Sequence, residues 1–171
     1  MRRLTRRRAD SGAGLTEFAV LYSSVVLPLT FMIVFVSEML WIWHSVADFT
    51  RDGARYAATH CWLPDASNVL SYMEANVPPM IDQAQFQAGT AGIAVDYMQQ
   101  DPSTGSLLEF ACNSAACSAG CIPDTVSVSI TNYQFLRFSG YFKLPAVTIP
   151  PFTTSVSTGS MGCDQSGNCV P

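Results

Sequence analysis

Six cysteines are the residues of this chain best suited to covalent chemistry, and none of them precedes residue 61. An even number of cysteines beyond an apolar N-terminal segment predicts disulfide bonds formed in an oxidising compartment. Cys163 and Cys169 flank the flexible sequence DQSGN and are placed to close it as a loop. Cys61 is then left to pair within the remaining cluster, which consists of Cys112, Cys117 and Cys121.

The spacing of that cluster, C-x4-C-x3-C, is also compatible with a metal or iron–sulfur site. No histidine lies near these cysteines in the sequence, and the residues between them are small. We therefore expect disulfides in this region rather than a metal, and we expect no cofactor.

Acid–base catalysis needs histidines or carboxylates that the fold brings together, and the sequence offers few candidates. The histidines are His44, expected at a membrane interface, and His60, expected as a surface or capping residue. The chain contains no glycine-rich phosphate loop, no H-E-x-x-H and no G-x-S-x-G motif. Two possible carboxylate pairs are explained equally well by solvated loops: Asp96 with Asp101, and Glu74 with Asp82. The sequence therefore predicts a protein that is not an enzyme and has no small-molecule substrate.

A long apolar run near the N-terminus precedes the part of the chain that contains the cysteines, and it must position that part. From Phe18 to Trp43 the sequence reads FAVLYSSVVLPLTFMIVFVSEMLWIW, with Glu38 as its only charged residue. A helix of about 20 apolar residues crosses a bilayer, and this run is longer than the apolar stretch of a cleavable secretory signal. We therefore predict one transmembrane helix, in which Pro28 produces a kink or local unwinding. Trp41 and Trp43 are expected at the outer headgroups.

The charge distribution predicts the orientation of this helix. Five arginines precede the apolar run, whereas Arg51 and Arg55 after it alternate with Asp48 and Asp52. Because basic residues are retained in the cytoplasm, the N-terminus is expected inside and the remainder of the chain outside. The formal net charge is −4, and it becomes −8 without residues 1–12, because four basic and twelve acidic residues remain. Such a charge argues against a nucleic-acid partner.

Two carboxylates lie near the ends of the apolar run, where an isolated charge in lipid is costly. Glu38 is expected to reach the outer headgroup region. Glu17 is different, because no cation follows it at helical spacing and the nearest arginine, Arg8, is nine residues before it. We therefore expect Glu17 to attract a partner from another chain.

The boundary between the basic segment and the apolar run reads RRRADSG followed by AGLTEF, which places Gly12 five residues before Glu17. This pattern resembles the processing site of type IV prepilins, in which a basic leader ends in Gly and a Glu is fifth in the mature chain. The Glu-Phe pair and the short leader are most similar to the tight-adherence (Tad) branch, specifically its TadE/TadF-like minor pilins. Phe18 stands where the major pilins of that branch commonly have Tyr.

A second stretch, VADFTRDGARYAATHC at Val46 to Cys61, resembles the small-residue continuation that follows the anchor in TadE-like proteins. Its alanines recur at helical spacing, so the anchor is expected to continue outward as one helix. The segments DTVSVSITNYQF and VTIPPFTTSVSTGSM resemble the paired C-terminal strands of the same family. The region from Cys61 to Pro123 matches no family pattern.

The resemblance implies a minor pilin-like structural subunit for assembly of a Tad-type pilus. A prepilin peptidase would cut between Gly12 and Ala13, and Glu17 and Phe18 would act in assembly, with the Glu17 carboxylate neutralising the new amine of a neighbouring subunit. The partners would be the membrane, other pilin subunits, the pilus assembly platform and the peptidase. The chain would lie in a bacterial inner membrane, with its C-terminal domain periplasmic or in an extracellular pilus.

Two alternatives from other functional classes stay open. One is an unprocessed bitopic membrane protein whose disulfide-rich extracytoplasmic domain binds a ligand or receptor. The other is a membrane-tethered enzyme, which requires a pocket that gathers several carboxylates and a histidine.

The sequence after Cys61 mixes helical and strand patterns. Helical spacing predicts a helix from Ser67 to Val77 with a Ser or Asn N-cap, and a short helical turn in MIDQAQFQAG before Gly89. A period of two predicts strands at 93–97 and 126–130, with further candidates at 107–111 and 147–156. Pro150 and Pro151 confine the last candidate to an edge or split it.

The predicted fold class is α+β, with a long transmembrane helix that extends outside the membrane and packs on a small antiparallel sheet. Four segments follow from this interpretation: a basic leader at 1–12, a transmembrane helix at 13–43, its extracytoplasmic continuation at 44–61, and an α+β domain with disulfides at 62–171.

Overall fold

The structure is a computed structural model that describes residues 10–113, 116–136 and 145–170, except for the side chains of residues 10, 11 and 13. The chain divides into two compact units, residues 1–41 and 42–171. The five arginines of the predicted leader lie outside the described residues.

The first unit is helical from Asp10 onward. It contains α1 (Asp10–Leu21), a π-helical turn (Tyr22–Val26) and the beginning of α2 (Leu27–Thr59). In the π-helical turn the N–H of Leu27 donates to the carbonyl of Tyr22, five residues earlier. Pro28 follows directly, and its ring and missing N–H disturb the ordinary helical bonds of the turn before it. The predicted local unwinding near Pro28 is therefore confirmed.

One helix of the described part of the chain, Gly14–Thr59, is long and apolar enough to cross a membrane, with a mean hydropathy of 2.3 in its most apolar window. Most of its large apolar side chains before Ile42 are exposed, between 37 and 71%, whereas Phe35 and Met39 are half-buried. The hydroxyls of Ser24 and Thr30 donate to the carbonyls of Val20 and Val26, at 2.6 and 2.7 Å. These bonds satisfy hydroxyls that find no water inside a bilayer.

The second unit begins at Ile42 and contains two further helices, α3 (Ser67–Ala75) and α4 (Gln83–Gln87). Both helices confirm the sequence predictions, although α2 ends at Thr59 rather than at Cys61. The predicted Ser or Asn N-cap of α3 is wrong. Ala66 occupies that position in a left-handed conformation, without a side-chain cap, and the carboxylate of Asp65 accepts the N–H of Ser67 at 3.2 Å. The Asn68 side chain donates to the carbonyl of Cys61 at 3.0 Å and accepts the N–H of Val69 at 2.9 Å.

Four strands form an antiparallel sheet in the order β2-β1-β3-β6. They are β1 (Gly92–Gln100), β2 (Leu107–Glu109), β3 (Thr125–Thr131) and β6 (Phe152–Ser157). The long apolar helix and this small antiparallel sheet agree with the predicted α+β class. Alternation of small polar and β-branched residues in TVSVSIT makes β3 a central strand, and Val126, Val128 and Ile130 are at most 1% exposed.

Two shorter strands, β4 (Gln134–Phe135) and β5 (Val147–Thr148), form a separate antiparallel pair. The strand candidate at 147–156 is therefore split between two sheets, with its second part, β6, at an edge. Pro150 and Pro151 explain the division, because a residue without an N–H cannot continue a sheet ladder.

Small residues on α2 allow other elements to approach it closely. Val46, Thr50, Ala54 and Ala57 are fully buried along one stripe of the helix. A Cβ added to Gly53 would lie 2.5 Å from the sulfur of Met73, which is itself fully buried on α3. The ring of Trp43 lies 5.7 Å from that of Phe152 on β6. Of the alanines that recur at helical spacing in the sequence, Ala54 and Ala57 are fully buried, whereas Ala47 and Ala58 are half-buried.

The C-terminal segment is bound to the end of α2. The N–H of Cys61 donates to the carbonyl of Val170 at 2.8 Å, and the N–H of Val170 donates to the carbonyl of Gly162 at 3.2 Å. Gly162 has a φ of +69°, and a Cβ added there would overlap the carbonyl oxygen of Thr59. Glycine is therefore required at this position both by the backbone conformation and by the close approach.

Gly162→Ala is expected to lower the free energy of unfolding by about 3 kcal/mol, through left-handed strain and overlap with backbone that cannot yield. Gly89→Ala is the matched control, because Gly89 also has a φ of +69° but nothing lies within 4 Å of an added Cβ. The control should cost only about 1 kcal/mol. Urea unfolding of both full-length variants measures the difference. Equal losses of unfolding free energy would show that overlap with the Thr59 carbonyl adds nothing to the left-handed strain at Gly162.

Candidate functional site

The residues predicted to act in processing and assembly lie in the first turns of α1. Gly12, Glu17 and Phe18 are exposed, and nothing lies within 4 Å of a Cβ added to Gly12. Ala13 belongs to the same helix, and its side chain lies outside the described residues. The Gly12–Ala13 peptide is therefore helical. A peptidase that binds extended substrate must unwind this first turn, where the leading N–H groups of a helix have no intrahelical partners.

Glu17 has no ion-pair partner among the described residues. The salt bridges within that part of the chain join Arg51 to Asp48 at 2.7 Å and Arg55 to Asp52 at 3.7 Å. In each pair the two partners are three residues apart on exposed helical surface, so the pair contributes little to stability. The carboxylate of Glu17 is thus accessible to a cation that another molecule supplies.

Phe18 adds an aromatic surface beside this carboxylate. Its ring is 66% exposed and stacks against that of Tyr22, 49% exposed, with 6.1 Å between ring centroids. The four-residue spacing places the two rings on one side of the helix. An exposed apolar and aromatic surface of this kind suits contact with lipid or with other helices.

Glu38 differs from Glu17, because its side chain is only partly exposed. Its Oε2 atom is buried and makes no hydrogen bond in the described structure. Glu38 follows Glu17 by 21 positions, which corresponds to about 30 Å along a helix, close to the thickness of a bilayer core. Trp41 is 61% exposed in the next helical turn. If the helix spans a membrane with Glu17 at one boundary, Glu38 lies near the other.

All six cysteines are paired in three disulfides, which agrees with the prediction of disulfides rather than metal ligands. Cys163 and Cys169 close the DQSGN loop, with 3.9 Å between their Cα atoms. Cys61 pairs with Cys117, and the remaining bond joins Cys112 and Cys121. The sequence restricted Cys61 to this cluster of three, and the structure selects Cys117.

The Cys61–Cys117 bond links the end of α2 to a distant loop. Its sequence separation is 56, against 9 and 6 for the other two bonds. The N–H of Cys117 also donates to the carbonyl of Trp62 at 3.1 Å. Cys61 is 1% exposed. This bond is therefore a long-range crosslink between buried Cys61 and half-buried Cys117, whereas the bond at Cys163 closes a local loop.

The structure shows the surroundings of the two histidines and of Asp101, one member of the possible carboxylate pairs. His44 is exposed on α2. The ring of His60 stacks on Tyr56 at 3.6 Å, and its Nδ1 lies 2.9 Å from the Tyr56 carbonyl, consistent with the capping role expected. Asp101 accepts bonds from Ser103 and Thr104, which lower its pKa to about 2. Within the described ranges, no three His, Cys, Asp or Glu side chains are grouped to hold a metal.

Sequence reasoning missed a buried glutamine that joins α4 to β4. The Gln85 side chain, 5% exposed, accepts the N–H of Gln134 and donates to its carbonyl, both at 2.8 Å. The side-chain amide of Gln85 thereby makes the two hydrogen bonds to the backbone of Gln134 that a neighbouring strand would make. Asp82 caps α4 by accepting the N–H of Ala84 at 3.1 Å. The Asp82 cap was detectable from its position before a short helix, but nothing in the sequence indicated the partner of Gln85, which lies 49 residues away.

Neither a protein family nor a curated protein nor a solved structure matches this chain. The functional conclusion therefore depends on the residues and their geometry.

Proposed function

We propose that this chain is a TadE/TadF-like minor pilin, a structural subunit for assembly of a Tad-type pilus. The observation that carries the proposal is the accessible Gly12 together with the exposed Glu17, which has no ion-pair partner among the described residues, in the first turns of a helix that continues to Thr59. A prepilin peptidase removes the leader up to Gly12, and the mature chain then begins at Ala13 with Glu17 in fifth position.

The proposed assembly step is supported by the cost of isolated charges in lipid. Cleavage creates an α-amino group on Ala13 at the boundary of the apolar helix. The Glu17 carboxylate of a neighbouring subunit neutralises this amine, since opposite charges attract strongly where water is scarce. The exposed aromatic surface of Phe18 packs against the helices of neighbours. Glu17 has no partner within the described chain, which supports an intermolecular role.

The proposed location is a bacterial inner membrane, with a cytoplasmic N-terminus and a periplasmic or extracellular C-terminal domain. The basic residues before the apolar run support this orientation, and three disulfides suit an oxidising compartment. We further propose that the outer part of α2 packs on the sheet and carries it as one body. The ring contact between Trp43 and Phe152 supports such packing.

The mature N-terminus tests the proposal directly. We expect N-terminal sequencing of the membrane-associated protein to begin at Ala13, and Gly12→Leu to leave the chain unprocessed. A side chain at the last leader position obstructs the peptidase, whereas glycine does not. Gly14→Leu is the matched control, because Gly14 is also an exposed glycine of α1 with open space around it, yet it lies beyond the cut.

The other outcomes separate the alternatives. An intact Met1 in the mature protein would refute processing and favour a bitopic binding protein. A start beyond Trp43 would indicate ordinary signal-peptidase cleavage on the far side of the membrane. Normal processing of Gly12→Leu would disprove the proposed site.

A further inference from the structure

The four-stranded sheet ends in an edge strand on each side, and one of these edge strands is β6. The N–H of Thr158, directly after β6, donates to the carbonyl of Asp124, directly before β3. Backbone groups alternate in direction along a strand, so those of Thr153, Ser155 and Ser157 point away from β3. These three residues are exposed. The outer edge of β6 therefore presents backbone donors and acceptors that no described strand uses.

The outer edge of β2, on the other side of the sheet, is open in the same way. The N–H of Phe110 donates to the carbonyl of Tyr97 on β1 at 2.9 Å. Alternation therefore turns the backbone groups of Leu107 and Glu109 away from β1. Leu107 and Leu108 are 54% and 48% exposed. An open edge that carries exposed apolar side chains is a template for pairing with another strand.

The separate strand pair, β4 with β5, has edges that are covered or short. The amide of Gln85 occupies the backbone N–H and carbonyl of Gln134 on β4. β5 has two residues, and Pro150 and Pro151 follow shortly after it. In contrast, β6 has six residues without a charge or a proline, and its register with β3 is unbroken. Charges, prolines and bulges are the usual means of keeping an edge unpaired, and β6 has none of them.

The direction of β6 limits which strand of a second copy can pair with it. At the start of β6, the ring of Phe152 lies 5.7 Å from that of Trp43. Shortly after its end, Gly162 lies close to the carbonyl of Thr59, the last residue of α2. Thus β6 runs in the same direction as the outer part of α2. Antiparallel pairing between two β6 strands would point the α2 helices in opposite directions, whereas copies inserted in one membrane point the same way.

The polarity of β2 removes this conflict. Each neighbouring pair in the sheet is antiparallel, so β2 runs opposite to β6. Two copies that point the same way can therefore join β6 of one to β2 of the other as an antiparallel pair. We propose that copies of this chain stand side by side in one membrane and form a continuous sheet through this β6–β2 contact. Because the two edges differ, the contact is heterologous and repeats from copy to copy. It requires a shared membrane orientation but no leader removal.

The side chains select the register of this contact. Val156 lies opposite Val126, which lies opposite Tyr97, and Leu108 lies opposite Gln99, two residues beyond Tyr97. Val156 and Leu108 are therefore on the same face of the sheet. Placing Leu108 of one copy opposite Val156 of the next covers the exposed leucine with an apolar neighbour.

This register also pairs the backbone groups that point outward. Leu107 meets Ser157 of the next copy, and Glu109 meets Ser155. Each of these pairs exchanges two backbone hydrogen bonds, which gives about four for each contact.

Disulfide crosslinking of the full-length protein in membranes of a bacterial expression host tests the proposal. Leu108→Cys and Val156→Cys are combined in one chain, because such non-hydrogen-bonded pairs have Cα atoms about 4.5 Å apart, within reach of a disulfide. Within one copy, β2 and β6 are about 14 Å apart, so only different copies can be joined. Oxidation with copper phenanthroline should give a ladder of dimers, trimers and larger species on a non-reducing gel.

Controls separate this contact from random collision and from symmetric pairing. Leu107→Cys with Val156→Cys should crosslink about tenfold more slowly, because adjacent residues of a strand face opposite sides of the sheet. Either Leu108→Cys or Val156→Cys alone should give monomers, and coexpression of these two single variants should give dimers without larger species. Mass spectrometry verifies the three native disulfides in every variant.

A further variant tests the backbone pairing itself. Ser155→Pro in the double-cysteine chain removes an N–H that points away from β3, a position where an edge strand tolerates proline. It should slow crosslinking about tenfold, whereas Ser155→Ala keeps the N–H and should leave the rate unchanged.

The contrary outcomes are specific. Absence of a ladder, an equal ladder from the Leu107→Cys control, or normal crosslinking of Ser155→Pro would each overturn the proposal. Dimers from Val156→Cys alone would show symmetric β6 pairing instead. Repeating the crosslinking with Gly12→Leu, in which the leader is expected to stay, keeps this result distinguishable from failure of the proposed pilin function, and the ladder should persist there.

Discussion

Replacing both Cys61 and Cys117 by alanine is expected to lower the free energy of unfolding of the second unit by about 4 kcal/mol. This disulfide closes the longest loop of the three, with a sequence separation of 56. A crosslink restricts the unfolded chain more strongly as its loop lengthens, so its removal increases the entropy of the unfolded state most. Such a loss is a large part of the stability of an ordinary domain.

The matched control is the double replacement of Cys163 and Cys169, whose sequence separation is 6. Here the loss should be about 2 kcal/mol, because the loop is short. Urea unfolding of the full chain in detergent, followed by near-ultraviolet circular dichroism, measures both values. Equal losses, or a loss below about 1 kcal/mol for the Cys61 and Cys117 pair, would contradict a dominant effect of the longer crosslink.

Glu17→Ala is expected to abolish assembly into filaments while leaving membrane insertion and disulfide formation intact. Under the proposed function, the variant leaves the new amine of a neighbouring Ala13 without a counterion in a medium of low polarity. Loss of one partner from a buried charge pair costs about 3–5 kcal/mol, which corresponds to a decrease of more than about 100-fold in subunit association. Glu17→Gln keeps the size of the side chain and should fail to a similar degree, because the charge is what matters.

Glu38→Gln is the control, because it removes the charge of a second acidic residue from the same continuous helix. Glu38 lies far from the amine along the helix and should therefore be dispensable for assembly. Sheared-filament yield, compared with the amount of processed subunit in the membrane, measures the effect at equal expression. Normal filament yield from Glu17→Gln would contradict the charge-pair mechanism, even if cleavage at Gly12 were verified.

Local sequence signals were sufficient to predict several elements of the fold. The unbroken apolar run predicted a helix capable of spanning a membrane, and Pro28 predicted the disturbance that appears as a π-helical turn. Alternation in TVSVSIT predicted β3, and the prolines at 150 and 151 predicted the division of the last strand. Each signal depends on a few neighbouring residues, because periodicity and backbone restrictions act within one or two turns. The pattern from Gly12 to Glu17 is local in the same sense.

The contacts between residues far apart in the sequence became known from the three-dimensional structure. It selected Cys117 as the partner of Cys61, placed the amide of Gln85 against the backbone of Gln134, and brought Trp62 beside Phe110. It also placed Ala66, rather than a serine or asparagine, at the N-cap of α3. These contacts depend on how helices and strands pack, since many pairings satisfy the same local pattern and only burial and the satisfaction of backbone groups select among them.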